Sequence, residues 1–183
     1  MARVLIVGCG CRGRTLGRAL VVRGHAVRGT TRSAVTAAGA EWEALGIEAF
    51  VGDPDRVATL APALEHVSVA CVLLGSATGS PSSLEALHGS RLEMLLTRMI
   101  DSTVRGIVYE AAGTVGDLLL AGGAALVRAT CHDSLIPYEL MGVDPADIDR
   151  WLQTALEAVE GVLSGQATER GAISESPGPN TPA

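Results

Sequence analysis

The sequence predicts a single α/β domain, a doubly wound parallel sheet of about six strands with helices on both faces. Two observations carry that prediction. Apolar strand-like runs alternate with helical stretches across short connections, the pattern of parallel strands joined by right-handed crossovers. Of the 183 residues, 48% are hydrophobic and only 3% aromatic, so the core must be Ala, Val, Leu and Ile, which suits a sheet buried on both faces. A chain of this length holds one well-buried domain.

The elements follow in order. "RVLIVG" (3–8) is an apolar run bounded by glycine, the first strand. A helix is predicted from Cys11 to Arg23, with Gly24 closing it. "HAVRGTT" (25–31) is the second strand, and Ser33 is placed to cap a helix running to Leu45. "IEAFVGD" (47–53) is the third strand, after which Pro54 would open a short helix to Leu64. "VSVACVLLG" (67–75) is the most hydrophobic run and is expected to lie centrally. The Gly/Ser/Pro-rich loop 75–83 precedes a helix over 84–102, then "RGIVYEAAG" (105–113) as the fifth strand. A helix over 117–132, a sixth strand over 136–143 and a helix over 144–163 complete the domain, 1–164. Residues 165–183 have low hydrophobicity with Pro and Gly, and are expected to be a disordered tail.

Composition narrows function. A net charge of −6 argues against nucleic acid as a partner. No apolar run reaches the length of a membrane span, so a soluble, cytoplasmic protein is expected, with no membrane partner. Cys9, Cys11, Cys71 and Cys131 fall in apolar elements or the first glycine turn and are expected to be inert thiols; no metal site is expected. All 14 basic residues are arginine. Without lysine, neither a P-loop lysine nor a Schiff base is available.

The informative motif is Gly8-Cys9-Gly10-Cys11-Arg12-Gly13. It fits G-x-G-x-x-G and lies directly after a strand and at the start of a helix, the context of a Rossmann-type dinucleotide site. Gly8 permits the tight turn, Gly10 lets the backbone approach a pyrophosphate, and Gly13 lets helix and strand pack closely. An NAD site would carry an acid at the end of the second strand, to bond the ribose 2′-hydroxyl. Here the strand ends Thr30-Thr31-Arg32-Ser33, and the next acid is Glu41. Arg32, with Thr30, Thr31 or Ser33, suits a 2′-phosphate, and Arg12 could reach the same neighbourhood. NADP is therefore expected rather than NAD. Asp53 could meet the adenine or cap the helix after it, and Gly75 and Ser76 lie where the chain would cross the cofactor.

These residues carry a resemblance. "VLIVGCGCRGRTLGRALVVRGHAVRGTTRS", the following "VGD" and the glycine-ended fourth strand resemble an atypical member of the short-chain dehydrogenase/reductase superfamily. Nearest are its small, NADP-binding, nucleoside-diphosphate-sugar epimerase-like proteins. The likeness extends over roughly 3–143 and is densest in the first strand, helix and second strand. The resemblance implies a Tyr-x-x-x-Lys pair on the helix after the fifth strand, but "DLLLAGGAALVRATCHD" (117–133) has neither residue. Thr114 matches the family's active-site Ser/Thr, and Glu110 is either an exposed strand end or an acid/base; both are weak catalytic candidates. The resemblance also implies a C-terminal substrate domain, where this sequence has one helix and a tail. The apolar positions of helix 84–102 suit one face buried on the sheet, and its extra Met and Leu could also form a homodimer seam with helix 117–133, as in relatives. An unconventional NADP-dependent oxidoreductase or epimerase-like enzyme acting on an unidentified small molecule is one expectation. A non-catalytic NADP(H) sensor acting on a protein partner is the other, and a flavin reductase is a weaker third.

Overall fold

The structure, a computed structural model, describes residues 1–165. The tail expected beyond the domain lies outside the described residues, Gly165 apart. Six strands form one parallel sheet: β1 (Arg3–Val7), β2 (Ala26–Thr31), β3 (Ile47–Val51), β4 (Val69–Val72), β5 (Gly106–Glu110) and β6 (Tyr138–Met141). Their order is β3-β2-β1-β4-β5-β6, so the chain reverses direction across the sheet between β1 and β4. All five neighbouring pairs are parallel. The doubly wound expectation holds.

Alternation along each strand divides the core into two layers. Leu5 and Val7 of β1, with Ala70, Val72, Ile107 and Tyr109, face one layer, and Val4, Ile6, Val69, Cys71 and Val108 face the other. Helices α4 (Pro81–His88), α5 (Ser90–Ile100) and α6 (Asp117–Asp133) cover the first face. Helices α1 (Cys11–Val22), α3 (Ala40–Leu45) and α7 (Ile148–Ser164) cover the second, where Trp42 and Trp151 are buried.

Several elements differ from the sequence reading. The helix expected over 34–45 is two, α2 (Ala34–Ala37) and α3, because Gly39 takes an extended conformation between them. Ser33 does cap α2, accepting from the Thr36 amide at 3.1 Å. The helix expected over 84–102 is likewise α4 and α5, broken at Gly89, where a Cβ would sit 2.8 Å from the Glu85 carbonyl oxygen. Pro54 does not open a helix: it lies in a turn closed by the Arg56 amide on the Asp53 carbonyl at 2.8 Å, and a 3-10 helix begins only at Val57. The strands are shorter than the apolar runs because buried residues such as Leu73 and Leu74 continue past the ladder.

Candidate functional site

The site is built where β1 and β4 diverge. Gly8 follows β1 at φ +83°, in the left-handed region, and a Cβ there would sit 2.5 Å from the Leu73 carbonyl oxygen. Only glycine fits this turn. Its amide donates to Thr30 Oγ1 at 3.2 Å, and the Gly10 amide donates to the Gly8 carbonyl at 2.8 Å. Helix α1 then starts at Cys11 with no side-chain cap and no acid in its first turn. Its first amides have no helical acceptors and present the positive end of the helix dipole. A Cβ on Gly10 would meet nothing within 4 Å, so the backbone there lies open, while one on Gly13 would lie 3.3 Å from the Gly8 carbonyl.

This turn floors a cleft of about 590 Å³ at the carboxyl ends of the strands, at the topological switch point. Of the residues expected to hold a cofactor, Gly8, Cys9, Gly10, Cys11, Arg12, Gly13, Thr31, Arg32 and Ser76 line it. Arg32 is exposed at the end of β2 and makes no ion pair among the described residues. Thr30 also lines the cleft, its Oγ1 accepting from the Gly8 amide, and Ser33 Oγ accepts from the Thr36 amide to cap α2; in both bonds the hydroxyl is the acceptor. Asp53 does not line the cleft; its carboxylate accepts from the Asp55 amide at 3.0 Å, closing the turn before the 3-10 helix. Gly75 lies behind the wall, tight against the backbone of Ala112 and Gly113. Thr114 is exposed and outside the cleft.

Two side chains go where the sequence did not place them. Arg12 turns away from Arg32, towards the β4–β5 side of the cleft: its Nη2 donates to Ser76 Oγ at 3.0 Å and to Glu110 Oε1 at 3.3 Å. Its guanidinium also lies 5.5 Å from the ring centroid of Trp151. Glu110 is not an exposed strand end, because its side chain is fully buried at the end of β5. Besides Arg12, its carboxylate accepts from the Gly75 amide at 2.7 Å and from Trp151 Nε1 at 2.9 Å. A buried carboxylate is tolerable with such partners. Trp151, which lines the cleft, went unnoticed in the sequence. A mid-strand acid at Glu110 in a chain with two tryptophans was the available signal, since such an acid needs a buried donor.

Below the cleft, Tyr109 and His88 form a buried pair, with Tyr109 Oη 2.7 Å from His88 Nδ1. Burial raises the tyrosine, with Glu110 adding to the effect, and lowers the histidine. Tyr109 is thus a core hydroxyl and cannot stand in for the tyrosine missing from α6. Burial also pushes the Cys9 and Cys71 thiols up to about 12, whereas Cys11 is exposed in the cleft. Among the described residues no three His, Cys, Asp or Glu side chains group as metal ligands. No described helix is long and apolar enough to cross a membrane.

No family model matches the sequence, and no curated protein matches it. Solved structures do match. A short-chain dehydrogenase/reductase superfamily protein from Agrobacterium tumefaciens with bound NAD superposes at a TM-score of 0.62, with 19% identity over 76% of this chain and 48% of that one. The UDP-glucuronic acid 4-epimerase of Bacillus cereus in complex with NAD gives 0.62, with 13% identity over 78% of this chain and 56% of that one. The UDP-glucose 4-epimerase of Thermotoga maritima gives 0.62, with 10% identity over 76% of this chain and 54% of that one. The fold is that of the short-chain dehydrogenase/reductase and epimerase proteins. The chain spans about half the length of these structures. At such identities the likeness is one of fold.

Proposed function

We propose that the cleft binds a dinucleotide and prefers NADP(H). The supporting observation is the cleft's outer wall, where Thr31 and the exposed Arg32, which forms no ion pair among the described residues, flank it at the end of β2. The adenosine half of a dinucleotide lies over this side of a Rossmann sheet. A guanidinium there would form charge-assisted bonds to a 2′-phosphate, where a 2′-hydroxyl calls for an acid. The open backbone at Gly10 and the uncapped start of α1 suit the pyrophosphate. Such solved relatives as the A. tumefaciens protein and the B. cereus epimerase carry NAD, in agreement with a dinucleotide in this architecture.

Bound there, NADP(H) would supply hydride chemistry, and this chain's residues would hold and orient it. The chemistry would be that of an unconventional oxidoreductase or epimerase-like enzyme, because α6 carries neither tyrosine nor lysine and Tyr109 is buried. The same two facts favour a second reading, a binding protein that senses NADP(H) without turning it over. Titration of the protein with NADPH and NADH, alongside Arg32→Ala, tests the cofactor assignment. NADPH should bind at least about tenfold tighter, a difference of about 1.4 kcal/mol, and the variant should erase that margin. Equal affinities in the unaltered protein would overturn it.

A further inference from the structure

We propose that Arg12 and Ser76 form a recognition site for the anionic group, carboxylate or phosphate, of a small substrate, with Glu110 and Trp151 as its positioning residues. The site occupies the β4–β5 side of the cleft, and only its placement next to the reactive half of a dinucleotide rests on the function proposed above. With Arg32 marking the adenosine side at β2, the other half of a dinucleotide would lie over β4 and β5. Arg12 and Ser76 both line the cleft on that side.

The arginine is held in place yet incompletely used. Trp151 carries its face, and Nη2 is shared between Ser76 and Glu110. Among the described residues Nη1 has no hydrogen-bond partner, and Nε is buried without one. A guanidinium recognises carboxylate and phosphate through donors fixed in a rigid plane; here Nη1 remains uncommitted, while the buried Nε is closed to a ligand. Glu110 does not satisfy the charge fully. Of its three bonds, the Gly75 amide (2.7 Å) and Trp151 Nε1 (2.9 Å) are shorter than that from Arg12 (3.3 Å). Its carboxylate is therefore shared with the frame and fixes the arginine's position. With Glu110 fully buried and Arg12 part-exposed, the cationic end of the pair is the one that meets a ligand. Ser76 Oγ, beside the guanidinium, adds a hydroxyl donor.

The probes are oxalate, for a carboxylate, and inorganic phosphate, titrated calorimetrically with and without saturating NADP⁺. The variants are Arg12→Met and the double variant Arg12→Met with Glu110→Gln, which leaves no unpaired buried charge if the single change fails to fold. At least one anion should bind the unaltered protein, and the folded variant should bind it at least about tenfold more weakly, a loss larger than any loss for NADPH. Oxalate alone binding would identify a carboxylate substrate, and phosphate alone a phosphorylated one. The proposal is overturned if neither anion binds. It also fails if anion binding persists in the variants, as it would at the start of α1, or if NADPH and anion affinity fall together. If NADPH does not bind the unaltered protein but an anion binds in an Arg12-dependent way, the dinucleotide assignment fails and this one stands.

Discussion

Trp151 Nε1 donates to Glu110 Oε1 at 2.9 Å, joining the last helix to the end of the fifth strand inside the protein. The same carboxylate holds the loop after β4 through Gly75 and the glycine turn through Arg12. Four segments distant in sequence thus meet on one buried charge. Replacing Glu110 with alanine leaves the part-buried guanidinium without its counter-ion and two buried N–H groups without acceptors. Removing one partner of a buried pair costs about 3–5 kcal/mol. Trp151→Phe keeps most of the packing and removes one donor, for about 1–3 kcal/mol. Urea unfolding at neutral pH measures both; a Glu110→Ala midpoint equal to that of the unaltered protein would contradict this account.

Gly8 and Gly10 are two residues apart, yet their alanine variants should fail differently. At Gly8 the positive φ and the nearby Leu73 carbonyl oppose any side chain, so Gly8→Ala should destabilise the fold. At Gly10 an added methyl meets nothing in the protein, so Gly10→Ala should melt within a few degrees of the unaltered protein. Its methyl would project where a pyrophosphate must approach, and NADPH affinity should fall at least about tenfold, or about 1.4 kcal/mol. Melting curves and nucleotide titration separate the two effects. Undiminished NADPH binding by Gly10→Ala would remove the glycine turn from the site.

The fold was legible in the sequence because its signals are local. Apolar runs, glycine boundaries and the spacing of the first turn place β1, α1 and β2 almost to the residue. The glycine turn and Arg32 were legible for the same reason, since turn chemistry and strand ends are set by near neighbours. The breaks at Gly39 and Gly89 were missed because a glycine inside a helical pattern is often tolerated. Glu110 was misjudged because its partners lie far off in sequence, Arg12 by 98 positions and Trp151 by 41. No periodicity reports a contact of that kind. The carboxylate's oddity could be seen, but the arginine and indole that resolve it depend on how the sheet is wound.

The His88–Tyr109 pair gives the protein a pH dependence of definite sign. Burial lowers His88 below its ordinary value of 6.5, with the nearby Leu74 backbone acting more weakly in the other direction. The unfolded chain therefore takes up the proton at higher pH than the folded one. The stability associated with neutral His88 is complete above about pH 6.5 and is lost as pH falls through the lower folded-state value. Each tenfold difference in proton affinity between the two states is worth about 1.4 kcal/mol. Tyr109 stays protonated across this range, because burial raises it, so the histidine sets the slope. Unfolding free energies between about pH 7 and pH 5 should decline for the unaltered protein and decline less for His88→Gln, which keeps a polar group beside the Tyr109 hydroxyl. Parallel declines in the two proteins would show that His88 takes up its proton equally in both states.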